Sequence, residues 1–165
     1  LEYAVLAIRE VCEAFGGDSG AVLLAGFSRG SIACGYLGLH NERIADAWLG
    51  FVAYSHYDGV WERWGYEGAD RASARVRLDR LAGRASFVCS EPMVGSRNVA
   101  ATQAYIESAG VSAPFTFREL SFRNHNDAWV LRDIADRRAL RAWASWVLDV
   151  KPGTHSISGR VVDPH

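Results

Sequence analysis

Apolar positions along the chain follow two spacings, one typical of helices and one typical of buried strands. Residues 2–15 place apolar side chains at a helical period, and the glycines at 16 and 17 end that pattern. Residues 20–27 form a continuous apolar run, which indicates a strand buried on both faces. The same reasoning predicts further helices over 29–39, 71–82, 97–109 and 134–149, and further strands over 46–55 and 85–90. Residues 115–122 alternate between apolar and polar positions, which predicts a fourth strand.

The alternation of helices and strands predicts the fold class. Parallel strands need a long crossover between them, and a helix commonly supplies it. The sequence therefore predicts an α/β fold, with a mostly parallel sheet and helices on both faces. Residues 56–70 are rich in aromatic residues and glycine and are predicted to form a loop or short lid.

The composition of the chain limits the class of protein that it can be, but it does not indicate an activity. The 165 residues are 49% hydrophobic and 22% charged, which is ordinary for a soluble domain with a real core. With 18 basic and 19 acidic residues, the chain offers no electrostatic argument for binding nucleic acid or an anionic membrane surface. No apolar run reaches the ~20 residues that a membrane-spanning helix needs. The three cysteines form no CxxC pair and are expected to be free thiols.

The segment Gly26-Phe27-Ser28-Arg29-Gly30 fits G-x-S-x-G between a predicted strand and a predicted helix. A residue on such a sharp turn has strained backbone angles, and we expect the two glycines to remove clashes around it. Ser28 would then project above the carboxyl edge of the sheet. The backbone N–H of Arg29, at the start of the helix, would face a developing oxyanion. A glycine-rich turn with an incidental serine is the alternative.

This motif, the order of elements and a histidine after the last strand resemble the C-terminal half of the α/β-hydrolase superfamily of serine hydrolases. The resemblance covers residues 1–150 and implies a partial catalytic domain whose N-terminal strands would precede Leu1. It implies Ser28 as nucleophile and His125 as general base, because the chain order in that family is serine, acid, histidine. A serine hydroxyl needs such a base to attack a carbonyl group. An exposed loop histidine is the other interpretation of His125.

Two carboxylates could complete a triad. The family usually places its acid after the strand before the last, and that loop, CSEPMVGSRN, offers Glu91 and no aspartate. Asp58 follows the preceding predicted strand, where some members of the family place the acid. Each could instead be an ordinary turn residue, and a Ser–His dyad or an inactive site would need neither. His56 and Asp58 are too weak a pattern for a metal site, so no metal is expected.

Aromatic side chains follow the second predicted strand and the last one. Tyr57, Trp61 and Trp129 are predicted to contact an acyl chain, an aryl group or a sugar ring, although each could equally pack in the core. The side chain of Arg29 could pair with an anionic group of the substrate or form an ion pair on the helix surface.

The resemblance implies a serine hydrolase that cleaves carboxylic esters through an acyl-enzyme and needs no cofactor. Its partner would be a small-molecule ester. A peptidase of the prolyl-oligopeptidase type and a non-catalytic, hydrolase-like binding domain are the alternatives. The second oxyanion donor of the family comes from a loop that would precede Leu1. We therefore expect feeble activity from these 165 residues alone, because losing one donor lowers turnover by ~10²–10³.

The last fifteen residues, 151–165, differ in character from the rest of the chain. They begin with Lys-Pro-Gly and continue into ISGRVVDP, a short alternating pattern. This pattern resembles the first strand of a carboxypeptidase-regulatory-like β-sandwich module. The segment is therefore predicted to be a linker and the start of a second domain, which would favour a secreted or periplasmic protein.

Overall fold

The computed structural model describes residues 2–92 and 98–149. In this part of the chain, parallel strands form one sheet in the order β1-β2-β3-β4. The strands are β1 (Leu23–Phe27), β2 (Gly50–Tyr54), β3 (Ala85–Ser90) and β4 (Phe115–Glu119). An all-parallel sheet flanked by helices confirms the predicted α/β class.

Helices connect the strands, as the alternating pattern predicts. They are α1 (Glu2–Phe15), α2 (Arg29–Tyr36), α3 (Glu42–Ala45), α4 (Arg71–Asp79), α5 (Val99–Ala109) and α6 (Ala135–Val147). The strand predicted over 85–90 has the observed bounds, and most other predicted elements extend a few residues too far. The sequence did not predict α3 or the 3-10 helix Ala128–Leu131, because four residues carry too little periodicity. The predicted loop over 56–70 contains only turns and bends, and 151–165 lie outside the described residues.

Two apolar clusters pack on the sheet. Every residue of β2 and β3 is buried, which explains their largely apolar composition, although β3 also buries Ser86 and Ser90. Successive side chains of a strand point to opposite faces, and accordingly Phe51 belongs to one cluster and Val52 and Tyr54 to the other. The first cluster includes residues of α2, α3, α4 and α5, and the second includes Trp143 of α6. No helix in the described part of the chain is long and apolar enough to cross a membrane.

Side chains also mark where helices begin. Asp70 precedes α4 and accepts a hydrogen bond from the Ser73 N–H at 2.8 Å. Asn98 precedes α5 and accepts one from the Ala101 N–H at 2.9 Å. Such caps satisfy N–H groups that have no partner within the helix. These helices therefore start where the sequence supplies a capping residue.

Candidate active site

Ser28 lies on the tight turn between β1 and α2. Its backbone has φ 56° and ψ −120°, a conformation that non-glycine residues rarely adopt. The turn brings the backbone of Gly30 so close to Gly26 that a Cβ on Gly26 would lie 2.1 Å from the Gly30 carbonyl oxygen. A Cβ on Gly30 would meet nothing within 4 Å. The expected steric need for glycine therefore holds at Gly26 and not at Gly30.

The imidazole of His125 faces this serine. Its Nε2 lies 3.2 Å from the Ser28 Oγ, although the two residues are 97 positions apart in the chain. Half of the His125 side chain is exposed, and its ring packs at 4.8 Å from the ring of Phe27, the residue before the serine. The 3.2 Å between Nε2 and Oγ allows direct transfer of a proton from the hydroxyl to the ring.

Glu91 lies on the other side of the same imidazole. It follows β3, and its Oε1 is hydrogen-bonded to the Nδ1 of His125. The carboxyl group is buried, and its Oε2 has no hydrogen-bond partner among the residues that the structure describes. A buried carboxylate in this position orients the ring and stabilises a positive charge on it. The structure thus brings Ser28, His125 and Glu91 together at the carboxyl edge of the sheet.

Asp58, the other candidate acid, lies in a different environment. Its carboxylate accepts hydrogen bonds from Arg77, with Nε at 2.7 Å from Oδ2 and Nη2 at 3.0 Å from Oδ1. The Tyr66 hydroxyl lies 3.4 Å from Oδ1. Burial raises the pKa of Asp58, and the Arg77 guanidinium acts in the opposite direction. The structure gives this carboxylate a role in an ion pair and does not bring it to His125.

Ser55 also contacts the pair formed by Glu91 and His125, and the sequence analysis missed it. Its Oγ lies 3.4 Å from the Glu91 Oε1 and 3.4 Å from the His125 Nδ1. The residue is buried, directly follows β2 and has a left-handed φ of 82°. A serine at the carboxyl end of a strand beside β1 is the sequence signal that could have identified it.

Tyr54, the last residue of β2, holds the loop that carries His125. Its hydroxyl donates to the backbone carbonyl of Asn126 at 3.1 Å and lies 3.3 Å from that of Asn124. Burial, together with the neighbouring Glu91, raises the pKa of Tyr54 and keeps the phenol protonated. The tyrosine therefore fixes the backbone on both sides of the histidine.

Asp136 fixes the beginning of the same loop to α6. It accepts hydrogen bonds from the Ser121 N–H at 2.8 Å and from the Ser121 hydroxyl at 2.6 Å. It also pairs with the Arg118 Nε of β4 at 2.6 Å. Burial acts to raise the pKa of Asp136, but the hydrogen bonds from Ser121 and Arg118 outweigh it and lower that pKa. The sequence analysis missed this contact, which connects two distant segments.

The backbone at the start of α2 is suited to stabilising negative charge. Arg29 is the first residue of this helix, so its N–H lies in the first turn, where donors have no acceptor within the helix. The N–H of Ser31, by contrast, donates to the Ser28 carbonyl at 3.0 Å. The helix dipole adds partial positive charge at this end. These features fit the oxyanion role expected for Arg29.

The three aromatic residues predicted to contact substrate lie in different environments. Trp129 is only 1% exposed and packs in the core against Tyr54, with ring centroids 5.8 Å apart. Tyr57 packs against the other core cluster, and burial raises its pKa. Trp61 contacts Trp64, with centroids 4.5 Å apart. The structure therefore gives Trp129 a packing role in the core, whereas Tyr57 and Trp61 both lie partly exposed in the aromatic loop and Tyr57 also packs against the core.

Trp64, another aromatic residue of the loop over 56–70, is connected to the proposed base through the ring of His56. Its ring is 5.0 Å from the ring of His56, which is 6.0 Å from that of His125. The guanidinium of Arg29 lies 5.7 Å from the centroid of the same indole. A cavity of about 270 Å³ opens here, lined by Arg29, Ile32, Ala33, Tyr36, Leu37, Trp64 and Tyr66.

No cluster of metal-ligating side chains occurs within residues 2–92 and 98–149. No family model matches the chain, and no curated protein sequence does. An interpretation of the site therefore depends on its own geometry.

Proposed function

We propose that this protein is a serine hydrolase of the α/β-hydrolase type that cleaves carboxylic esters through an acyl-enzyme. The observation that carries the proposal is the arrangement around His125, with Nε2 at 3.2 Å from the Ser28 Oγ and Nδ1 bonded to the buried Glu91. Three residues from three different loops would have little structural reason to converge in this order. The same order is what activation of a serine hydroxyl requires.

In the first half of the proposed reaction, the Ser28 Oγ attacks the ester carbonyl carbon and its proton passes to the His125 Nε2. Glu91 stabilises the imidazolium that results. The carbonyl oxygen gains negative charge near the Arg29 N–H. The C–O bond to the alcohol then breaks, and the leaving oxygen takes the proton from Nε2. The products of this half are a free alcohol and an acyl group on Ser28.

In the second half, water takes the place of the alcohol. It attacks the acyl carbonyl and gives a proton to the His125 Nε2, and a second tetrahedral intermediate forms. This intermediate collapses with cleavage of the bond to the Ser28 Oγ, which recovers the proton. The carboxylic acid leaves, and the site returns to its starting state. Every proton transfer uses the one imidazole, and no cofactor is involved.

Covalent labelling with a fluorophosphonate tests the proposal most directly, because it needs only an activated serine and not full turnover. We expect wild type to gain one phosphonyl adduct on the peptide that contains Ser28. Ser28→Ala should abolish the adduct. Ser19→Ala, which changes an exposed turn serine, should label like wild type. Hydrolysis of 4-nitrophenyl acetate should follow the same order.

The same measurements separate the alternatives. Faster cleavage of aminoacyl-4-nitroanilides than of 4-nitrophenyl esters would favour the peptidase. A folded protein that neither labels at Ser28 nor hydrolyses an ester would contradict the proposed hydrolase and favour a binding domain. Labelling that persists in Ser28→Ala would place the reactive group elsewhere and would also contradict the proposal.

A further inference from the structure

The cavity beside Ser28 has an apolar and aromatic lining with a single cationic side chain at one wall. The helix α2 contributes Arg29, Ile32 and Tyr36, and the loop after β2 contributes Trp64 and Tyr66. None of the side chains that line it is a carboxylate. A planar apolar group could therefore stack on the aromatic rings of the cavity, and an anion could bind its one guanidinium group.

Arg29 is available to a ligand, whereas the nearby Arg77 is not. Arg77 is buried, bound to Asp58 and stacked at 4.7 Å on the ring of Tyr36, which is itself part of the cavity wall. Arg29 is exposed, and no carboxylate among the described residues pairs with it. Its guanidinium instead lies over the indole of Trp64. Such stacking leaves the edge of the guanidinium free to donate to an anion.

Two residues that line the cavity, Arg29 and Trp64, also connect it to the proposed nucleophile and base. Arg29 directly follows Ser28, so one wall begins at the residue after the nucleophile. Trp64 contacts the ring of His56, which in turn lies 6.0 Å from the ring of His125. The backbone of His56 is fixed in turn, because its carbonyl accepts a hydrogen bond from the Ser31 hydroxyl. We therefore expect that a group attached to an ester carbonyl at Ser28 can extend toward this cavity.

We propose, on the basis of the esterase function proposed above, that this cavity binds an aromatic group bearing a carboxylate. The ring would pack between Trp64 and the tyrosines, and the carboxylate would accept hydrogen bonds from the Arg29 guanidinium. The substrate class is then esters of aromatic compounds that carry a second, free carboxyl group, such as monoesters of aromatic dicarboxylic acids. This assigns the side chain of Arg29 a role in specificity that is separate from the role of its backbone N–H.

A matched pair of phosphonofluoridates tests this inference on the full chain. One probe carries a 4-carboxybenzyl group on phosphorus and the other a 4-methylbenzyl group. In both, the Ser28 Oγ forms a bond to phosphorus, fluoride leaves, and the proton of the hydroxyl passes to His125. We expect wild type to label with the carboxylate probe about fivefold faster than with the neutral probe. The preference should weaken at high salt.

Variants of Arg29 identify the group responsible, and ratios between the two probes cancel their intrinsic reactivities. Arg29→Met should bring the ratio close to one, and Arg29→Lys should retain part of the preference because it keeps the charge. Arg138→Met, which changes an exposed arginine on α6 paired with Asp133, should keep the wild-type ratio. Backbone N–H groups are unchanged in all three variants.

The outcomes separate this inference from the proposed function. If neither probe labels Ser28, the esterase proposal fails, and the inference fails with it. If both probes label Ser28 with a ratio that Arg29→Met leaves unchanged, only the inference is overturned. A wild-type preference for the neutral probe would also overturn it.

Discussion

Asp58 and Arg77 form a buried ion pair in which Nε and Oδ2 are 2.7 Å apart. Removing one partner of such a pair leaves an uncompensated charge in the interior. We therefore expect Asp58→Asn to lower the free energy of unfolding by about 3–5 kcal/mol. Urea denaturation measures this change. A loss below 1 kcal/mol would show that water or another group compensates Arg77.

Glu91→Gln should affect the reactivity of Ser28 more than the stability of the fold, which is the reverse of the effect expected for Asp58→Asn. The substitution keeps the shape of the side chain and removes the charge that faces His125, so the ring loses its stabilising partner when it takes a proton. We expect the rate of fluorophosphonate labelling to fall by ~10²–10³, with a smaller effect on unfolding than that of Asp58→Asn.

The matched control for Glu91→Gln is Glu119→Gln. Glu119 ends β4 at the same edge of the sheet, pairs in register with Ser90 and is exposed. The Glu119→Gln variant should react with the fluorophosphonate at the wild-type rate. If Asp58→Asn lost its labelling while remaining folded, and Glu91→Gln did not, the acid would be Asp58 after all.

The two glycines of the turn around Ser28 should respond differently to alanine. A Cβ on Gly26 would lie 2.1 Å from a backbone oxygen that cannot move without displacing α2. We expect Gly26→Ala to destabilise the protein by about 1–3 kcal/mol and to slow labelling of Ser28. Gly30→Ala has open space and lies within a helix, so it should be neutral or should stabilise by up to about 1 kcal/mol. Equal destabilisation by both in urea would contradict this assignment.

Substitutions of Ser55 can separate an effect on the positioning of the His125 ring from an effect on the stability of the fold. Its left-handed backbone favours glycine, so Ser55→Gly should be about 1 kcal/mol more stable than Ser55→Ala. Both variants lose the hydroxyl that contacts Glu91 and His125, and both should label about fivefold more slowly than wild type. If Ser55→Gly labelled at the wild-type rate, the hydroxyl would have no part in positioning the ring.

The contribution of Asp136 to stability should depend on pH in a defined direction. Its pKa is lowered in the folded protein, so its hydrogen bonds stabilise the fold above the unfolded-state pKa of about 3.9. That stabilisation is lost as the pH falls through the lower, folded-state pKa. Asp136→Asn should therefore reduce the free energy of unfolding by about 2–4 kcal/mol at pH 7. The difference from wild type should shrink below about pH 4, measured by urea denaturation across pH.

The fold was largely predictable because it depends on local patterns. A largely apolar composition identified β2 and β3, since both strands are buried at every position. Helices ended near glycine, as at Gly110, which has a φ of 64°. The short α3 and the 3-10 helix were not predictable, because they depend on packing and caps rather than on periodicity. Asn41, which caps α3, was the one local signal for it.

The site was predictable only in part. The motif around Ser28 and the order of elements indicated the proposed nucleophile and base, but both Glu91 and Asp58 follow strands in the sequence. The choice between them depends on Arg77 of α4, which forms an ion pair with Asp58 in the fold. The sequence gives no sign of this pair. The sequence was equally uninformative about Trp129. Its position four residues after His125 gives no sign that the residue is only 1% exposed.

The strand order β1-β2-β3-β4 has a consequence for how catalytic competence would arise as the chain folds. Each strand pairs with the one before it, so the sheet can grow in the direction of synthesis by adding one neighbour at a time. Among the described strands, Ser28 follows β1, whereas His125 arrives only after β4. A molecule with β4 detached would retain the hydroxyl and the proposed acid yet lack the proposed base. Reactivity of Ser28 toward a phosphonylating probe would then report the attachment of β4 more sharply than any measure of helix content.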